Sequence, residues 1–290
     1  VTPLAGFTRS TVAVTGTDIA VAVAGTGPPL LLLHGFPQTM AMWHEVAPVL
    51  AEHFTVVCAD LRGYGASGRP ESGDDHAGYS KRAMAQDQVE VMSALGFDRF
   101  AVAGHDRGGR VVRRMCLDHP ERISAAAVLD IVPTATVFAT TDQALATAYY
   151  HWFFLIQPGG LPERMIGADP RWWLRETLCR WAAPGFAFDP AALAAYEQAF
   201  DDPATIHAQC EDYRAAATID LAHDAADAGS RIGCPLLVLW GRHGAMERIY
   251  DVFGTWTDQG VDVRGRALDS GHFLAEEAPG QTARELLGLL

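Results

Sequence analysis

Cysteine is scarce in this chain and forms no pattern. Cys58, Cys116, Cys179, Cys210 and Cys234 stand singly, with no CxxC pair and no Cys/His metal spacing. A disulfide framework and a structural zinc site are therefore not expected, and the thiols read as small buried hydrophobes. No nucleotide or flavin signature appears either, so no cofactor is expected. Long apolar runs are also missing: Leu30 to Leu33 and Leu236 to Trp240 fall far short of the roughly 18 residues a membrane span needs. Positive charge is in deficit, with 22 Lys and Arg against 35 Asp and Glu, a formal net charge of −13. Such a field repels nucleic acid and anionic membrane. It also poses a problem for any anionic substrate, which local arginines must then attract. The N-terminal residues show no basic segment followed by an apolar one, so a cytoplasmic setting is expected by default.

What is present is a large apolar fraction, 49% of 290 residues, enough for one large core with a modest inserted domain. Thr11 to Val14 and Ile19 to Val23 alternate around Gly16, Thr17 and Asp18, which predicts an opening β-hairpin. Continuous apolar runs follow at Leu30 to Leu33, Phe54 to Ala59, Phe100 to Ala103, Ala126 to Leu129 and Pro235 to Trp240. These are strands buried on both faces of a mostly parallel sheet. Helical segments, notably Tyr79 to Leu95 and Arg107 to Leu117, fall between them, and this alternation predicts a doubly wound α/β sheet.

The alternation lapses between about Ile131 and Arg231. The intervening stretch is rich in Ala, Trp, Phe and Tyr, has helical periodicity, and is broken at Pro158, Pro170, Pro184, Pro190 and Pro203. The expected organisation is a core of residues 1–131 and 231–290 with a helical cap, 132–230, over the C-terminal edge of the sheet, where ligands bind in open α/β folds.

Gly104-His105-Asp106-Arg107-Gly108-Gly109 links a predicted strand to a predicted helix, with the layout G-x-nucleophile-x-G of a nucleophile elbow. The plain structural alternative is an aspartate capping a helix. The strand before it, an HGFP loop upstream and a GH pair far downstream favour the catalytic reading. A serine displacing a leaving group from an sp³ carbon would form an ether, which water does not readily cleave. A carboxylate forms an ester, and water attacking its carbonyl carbon restores Asp106. The chemistry implied is substitution at alkyl carbon. His272, in the SGHF loop after a probable last strand, is the candidate base. The acid should follow strand six or seven. WGRHGAMER offers no aspartate, whereas AAAVLDIVP offers Asp130, which is assigned to orient His272. Backbone N–H groups of Phe36 and Arg107 are expected to form an oxyanion hole. Arg107 and Arg110 lie at i and i+3, so both can face one pocket and grip a carboxylate. The alternative is that Arg110, like Arg113 and Arg114, belongs to a solvated helix face.

With these residues in place, the chain from about Leu30 onward resembles the fluoroacetate dehalogenases, within the wider group of α/β-hydrolase dehalogenases and epoxide hydrolases. HGFPQT, ADLRGYGASGRPES, AGHDRGGR, VLDIVPT, YHWFF, FDDP, CEDYRAAA and SGHFLAEEAP carry the resemblance. It implies Asp106 as nucleophile, Asp130 and His272 as acid and base, and Arg107 and Arg110 as the carboxylate grip. It further implies a halide pocket of His151, Trp152 and Tyr213, residues that would otherwise be read as cap packing. Two departures stand out: Gly109, where relatives often carry Ala, which is expected to loosen the helix start, and the polar WGRHGAMER segment. Haloalkane dehalogenases typically carry Trp after the nucleophile, and Arg107 in its place favours an anionic substrate. The expected activity is hydrolysis of short 2-haloacids, fluoroacetate in particular, by a homodimer with no nucleic-acid or membrane partner. An epoxide hydrolase using Tyr149, Tyr150 or Tyr213 as acid is the rival, and a noncatalytic ligand-binding relative the third reading.

Overall fold

The computed structural model describes residues 3–289. The chain opens with β1 (Thr8–Val14) and β2 (Thr17–Ala24), an antiparallel pair. Its turn is narrower than the sequence suggests. Gly16 takes a left-handed φ of 81°, while Thr17 and Asp18 already pair with Val14 and Ala13 inside the ladder. Then come β3 (Pro29–Leu33), β4 (Thr55–Ala59), β5 (Phe100–His105), β6 (Ile123–Leu129), β7 (Leu236–Gly241) and β8 (Val263–Leu268). The sheet order is β1-β2-β4-β3-β5-β6-β7-β8, parallel from β4 to β8.

Hydrophobic burial explains why the central strands were the legible ones. Leu30 to Leu33 and all of β5 are buried, covered by helices on both sides. Each such leucine contributes roughly 1.5–3 kcal/mol. β8 is an edge strand whose residues alternate between half-buried and exposed until Leu268, so it carries no apolar run to read. The chain steps from β3 outward to β4 and then back across to β5. This reversal opens a crevice beyond the carboxyl ends of β3 and β5, the usual place for a ligand in an open α/β sheet.

Eight helices from Thr134 to Ala226 lie between β6 and β7. Pro170, Pro190 and Pro203, expected as breaks, instead open helices Pro170–Trp181, Pro190–Phe200 and Pro203–Ala217. Each follows an aspartate whose side chain accepts from backbone N–H groups of the first turn. Proline at the first helical position gives up an N–H that has no partner there anyway.

Two other expectations need correcting. Cys58, Cys116 and Cys210 are buried, but Cys179 is exposed and Cys234 half-buried. Arg113 and Arg114 do not form a solvated face: Arg114 is buried, and the two pair with Asp224 and Asp227 of the inserted helices at 2.6 Å each. No helix of the described residues is long and apolar enough to cross a membrane.

Candidate active site

Asp106 sits between β5 and the helix Arg107–Asp118, at φ 44° and ψ −112°. Such a conformation costs about 1–3 kcal/mol in an L-residue and persists only where its surroundings impose it. They do so by close approach. A Cβ on Gly108 would stand 2.4 Å from the His34 carbonyl oxygen, so only glycine lets this helix start against the β3 loop. Gly109 is tight as well, since a Cβ there would lie 2.9 Å from both the Gly104 oxygen and Ile131 Cδ1. The glycine therefore answers a packing demand, where the sequence suggested only a looser helix start.

The Phe36 N–H donates to Asp106 Oδ2 at 3.0 Å. The Arg107 N–H, first in its helix, has no carbonyl one turn back to donate to. Burial raises the Asp106 pKa, but His272, Arg110, His105 and Arg107 outweigh it and hold the carboxyl below its ordinary value. It is an anion at neutral pH.

His272 Nδ1 lies 2.6 Å from Asp130 Oδ2, while Asp130 Oδ1 accepts from the Gly241 N–H at 2.9 Å. A proton on Nδ1 facing the carboxylate leaves Nε2, buried and unpartnered, as the basic nitrogen. Burial opposes charge on this ring, yet Asp130, Asp106 and Glu277 together raise its pKa above 6.5. No sequence pattern marks the groups that hold this loop. His105 Nε2 lies 2.8 Å from the His272 carbonyl oxygen. Glu277 accepts from the backbone of Ala183, Gly271 and Phe273 at 2.7–2.8 Å. The His272 N–H donates to Trp181 O at 3.0 Å, tying the base to the inserted helices. His105 and Glu277 lie inside the quoted motifs and Trp181 outside them, but a loop anchor has no periodicity to betray it.

The two arginines differ. Arg110 lies on the wall of a cavity of about 230 Å³ that also exposes Asp106, Asp130, Tyr149, Trp152 and Met246. Its Nη1 donates to Val132 O and Thr134 Oγ1, its Nε is buried without a partner, and its guanidinium stands 4.5 Å over the Trp152 ring. Burial lowers its pKa to about 10, against the pull of Asp106, so it stays charged at neutral pH. Arg107 is fully buried and committed to Asp212: Nε donates to Oδ2 at 2.9 Å and Nη2 to Oδ1 at 2.5 Å. Only its Nη1 has no partner. Its guanidinium lies 4.1 Å over the Tyr213 ring.

His151, Trp152 and Tyr213, far apart in sequence from Asp106, come together beside it. The Phe36 ring stacks on His151 at 5.9 Å and meets Tyr213 edge-on at 5.2 Å. Trp152 and Tyr213 pack at 5.9 Å. His151 Nδ1 and Tyr213 Oη are buried with no partner. Burial drives the His151 pKa well below 6.5, so that ring is neutral. Tyr150, one of the candidate epoxide acids, is 40% exposed and stands apart from the cavity wall, which Tyr149 helps form.

The family model of the alpha/beta hydrolase fold matches residues 28–279, a span that takes in every strand from β3 onward and all of these side chains, and the chain belongs to that family. Its relatives place it more closely. Fluoroacetate dehalogenase of Burkholderia sp is 49% identical over 97% of this chain and 93% of that one, which puts the chain in the fluoroacetate dehalogenase family. Soluble epoxide hydrolase of Corynebacterium sp. (strain C12) is 32% identical over 92% of this chain and 91% of its own. The crystal structure of an alpha/beta hydrolase from Nostoc sp PCC 7120 is 56% identical, with a TM-score of 0.97 over 98% of each chain.

Proposed function

We propose that this enzyme hydrolyses short 2-haloacids, fluoroacetate to glycolate and fluoride above all, through an ester on Asp106. The carrying observation is an ionised Asp106 facing Arg110 inside a small closed cavity, next to buried polar atoms that have no protein partner. The space is small, which suits an acid of a few heavy atoms. Unpartnered Arg110 Nε and Arg107 Nη1 are the atoms offered to the substrate carboxylate. His151, Trp152 and Tyr213 receive the halide as its charge develops.

An Asp106 oxygen attacks the carbon that bears the halogen, the C–O bond forms as the C–X bond breaks, and the halide leaves with the electron pair. His272 Nε2 then takes a proton from water, and the resulting hydroxide attacks Cγ of Asp106. Phe36 and Arg107 N–H groups stabilise the oxyanion. Collapse releases the hydroxyacid and returns Asp106 as carboxylate, with one oxygen from water. In this reading, residues 1–131 and 231–290 form the core, 132–230 form the cap, and the enzyme works as a cytoplasmic homodimer.

The test is His272→Asn with chloroacetate. It should release about one halide per site and stall with the carboxymethyl group on Asp106. Intact-mass spectrometry reads the adduct, peptide mapping places it, and ion chromatography counts the halide. A folded variant with no burst, or an adduct on any other residue, would overturn the mechanism. Styrene oxide assayed for diol in parallel tests the epoxide-hydrolase alternative.

A further inference from the structure

A second, larger recess shares a wall residue with the catalytic cavity. This funnel, about 840 Å³, has His272, Trp181 and Tyr149 in its wall, and Tyr149 also forms part of the catalytic cavity. Its mouth carries Arg180, on the last turn of helix Pro170–Trp181, and Arg248, on helix Ala245–Ile249 after β7. His243 also lines the funnel.

The charge of this lining departs from that of the chain. Acids outnumber Lys and Arg by 35 to 22 overall, yet the funnel wall holds two arginines and no carboxylate. The other open recesses mix signs, as with Glu163, Glu211, Arg164 and Arg214 in one and Asp60, Asp202, Arg9 and Arg69 in another. Neither rim arginine is tied into a tight ion pair. Arg180 is 67% exposed at the side chain and approaches only Glu176, at 3.8 Å, while Arg248 donates to the His243 carbonyl at 3.2 Å. His243 is engaged by Asp269 at 2.7 Å.

We propose that Arg180 and Arg248 form a cationic entrance that gathers small carboxylates from solution and passes them, by way of Tyr149, to Asp106. This rests on the haloacid reading and answers the problem the net charge poses: the net acidic charge disfavours the approach of an anion, and this mouth offsets it locally. Neither arginine touches the reacting atoms, so the pair acts on capture alone. Such an effect is long-ranged at low salt, where the screening length is roughly 30 Å at 0.01 M, and disappears at high salt.

The test compares wild type with Arg180→Gln/Arg248→Gln on chloroacetate across ionic strength. At about 10 mM salt the double variant should lose roughly three- to tenfold in kcat/KM with kcat within about twofold, and the gap should close by about 0.5 M. Arg180→Glu/Arg248→Glu should lose more, and Arg180→Lys/Arg248→Lys should restore capture. Equal efficiency at low salt, a deficit unchanged at high salt, or lysines as poor as glutamines would overturn the entrance. A wild type that releases no halide from chloroacetate or fluoroacetate would instead overturn the haloacid reading, and with it the anion this mouth is proposed to collect.

Discussion

Asp212 gathers more buried charge than any other side chain around the cavity. It accepts from Arg107 through two guanidinium nitrogens, from Lys81, the chain's sole lysine, and from the Tyr64 hydroxyl at 2.7 Å. Burial pushes its pKa up, but Arg107 and Lys81 push it down further, so it remains an anion. It thereby fixes the plane of Arg107 and leaves Nη1 as the free corner of the fork, which makes Asp212 a positioning residue. Removing one partner of a buried ion pair costs about 3–5 kcal/mol, because the charge left behind has lost both water and counterion. Asp212→Asn keeps the shape and removes the charge, and it strands two cations. Its melting temperature should fall by about 5–15 °C, followed by circular dichroism. Chloroacetate KM should rise as Arg107 loses its orientation. A melting temperature within about 2 °C of wild type would show that the cluster does not depend on this carboxylate.

Between elements, the contact most sensitive to pH joins three segments. Glu276, on the short helix Leu274–Glu277, accepts from Tyr196 Oη on helix Pro190–Phe200 at 2.9 Å and from Gln38 in the loop after β3. Burial raises its pKa to about 8, although the hydrogen bonds from Tyr196 and Gln38 pull the other way. A carboxyl whose folded pKa lies above its unfolded value, about 4.3, holds its proton more firmly in the native state. Its contribution is complete below about pH 4 and is lost as pH rises toward 8. Glu276→Gln is uncharged throughout, so between pH 6 and 9 it should lose less thermal stability than wild type. Calorimetry at the two pH values checks this, and parallel profiles would count against it. None of this contact was legible in the sequence, because its members are 238 residues apart at the extremes and none belongs to a periodic face. The buried strands were legible because a sheet covered on both sides needs unbroken apolar runs. β8 was harder to place because one edge faces no neighbouring strand, and the Asp-Pro starts were misread because the same dipeptide can end one element or begin another.

At the scale of the whole molecule, the site is where the two halves of the chain meet, and this decided what could be read in advance. Asp106 and Arg110 share one local motif, and Asp130 and His272 follow β6 and β8 of a recognisable sheet, so order along the chain sufficed. His151, Trp152 and Tyr213 could be named only through resemblance, since an aromatic helix packing a core has the same pattern. Asp212 was missed beside Tyr213 because a polar residue on a helix looks solvated until the neighbouring layer is in place. That meeting also buries three neutral histidines. His34 is held between its Gly35 carbonyl contact at 2.9 Å and the Leu61 N–H, which donates to Nε2 at 3.0 Å. His105 lies under the His272 loop and His151 within the aromatic cluster. Burial lowers all three pKa values, that of His105 to about 3, despite nearby carboxylates. Below about pH 6.5 each ring takes up a proton more readily in the unfolded chain than in the folded protein, so these rings cost stability as pH falls through this window. Near pH 5 this uptake is opposed by the protons that unfolding releases from Glu276 and from Asp87, whose pKa values burial raises to about 8 and about 6. Urea unfolding from pH 7 down to pH 5, with His105→Asn beside wild type, isolates one ring from these opposing groups. Near pH 5 His105→Asn should lose about 1.4 kcal/mol less stability per pH unit than wild type, one proton's worth, and parallel profiles would mean that this ring titrates alike in the folded and unfolded chain.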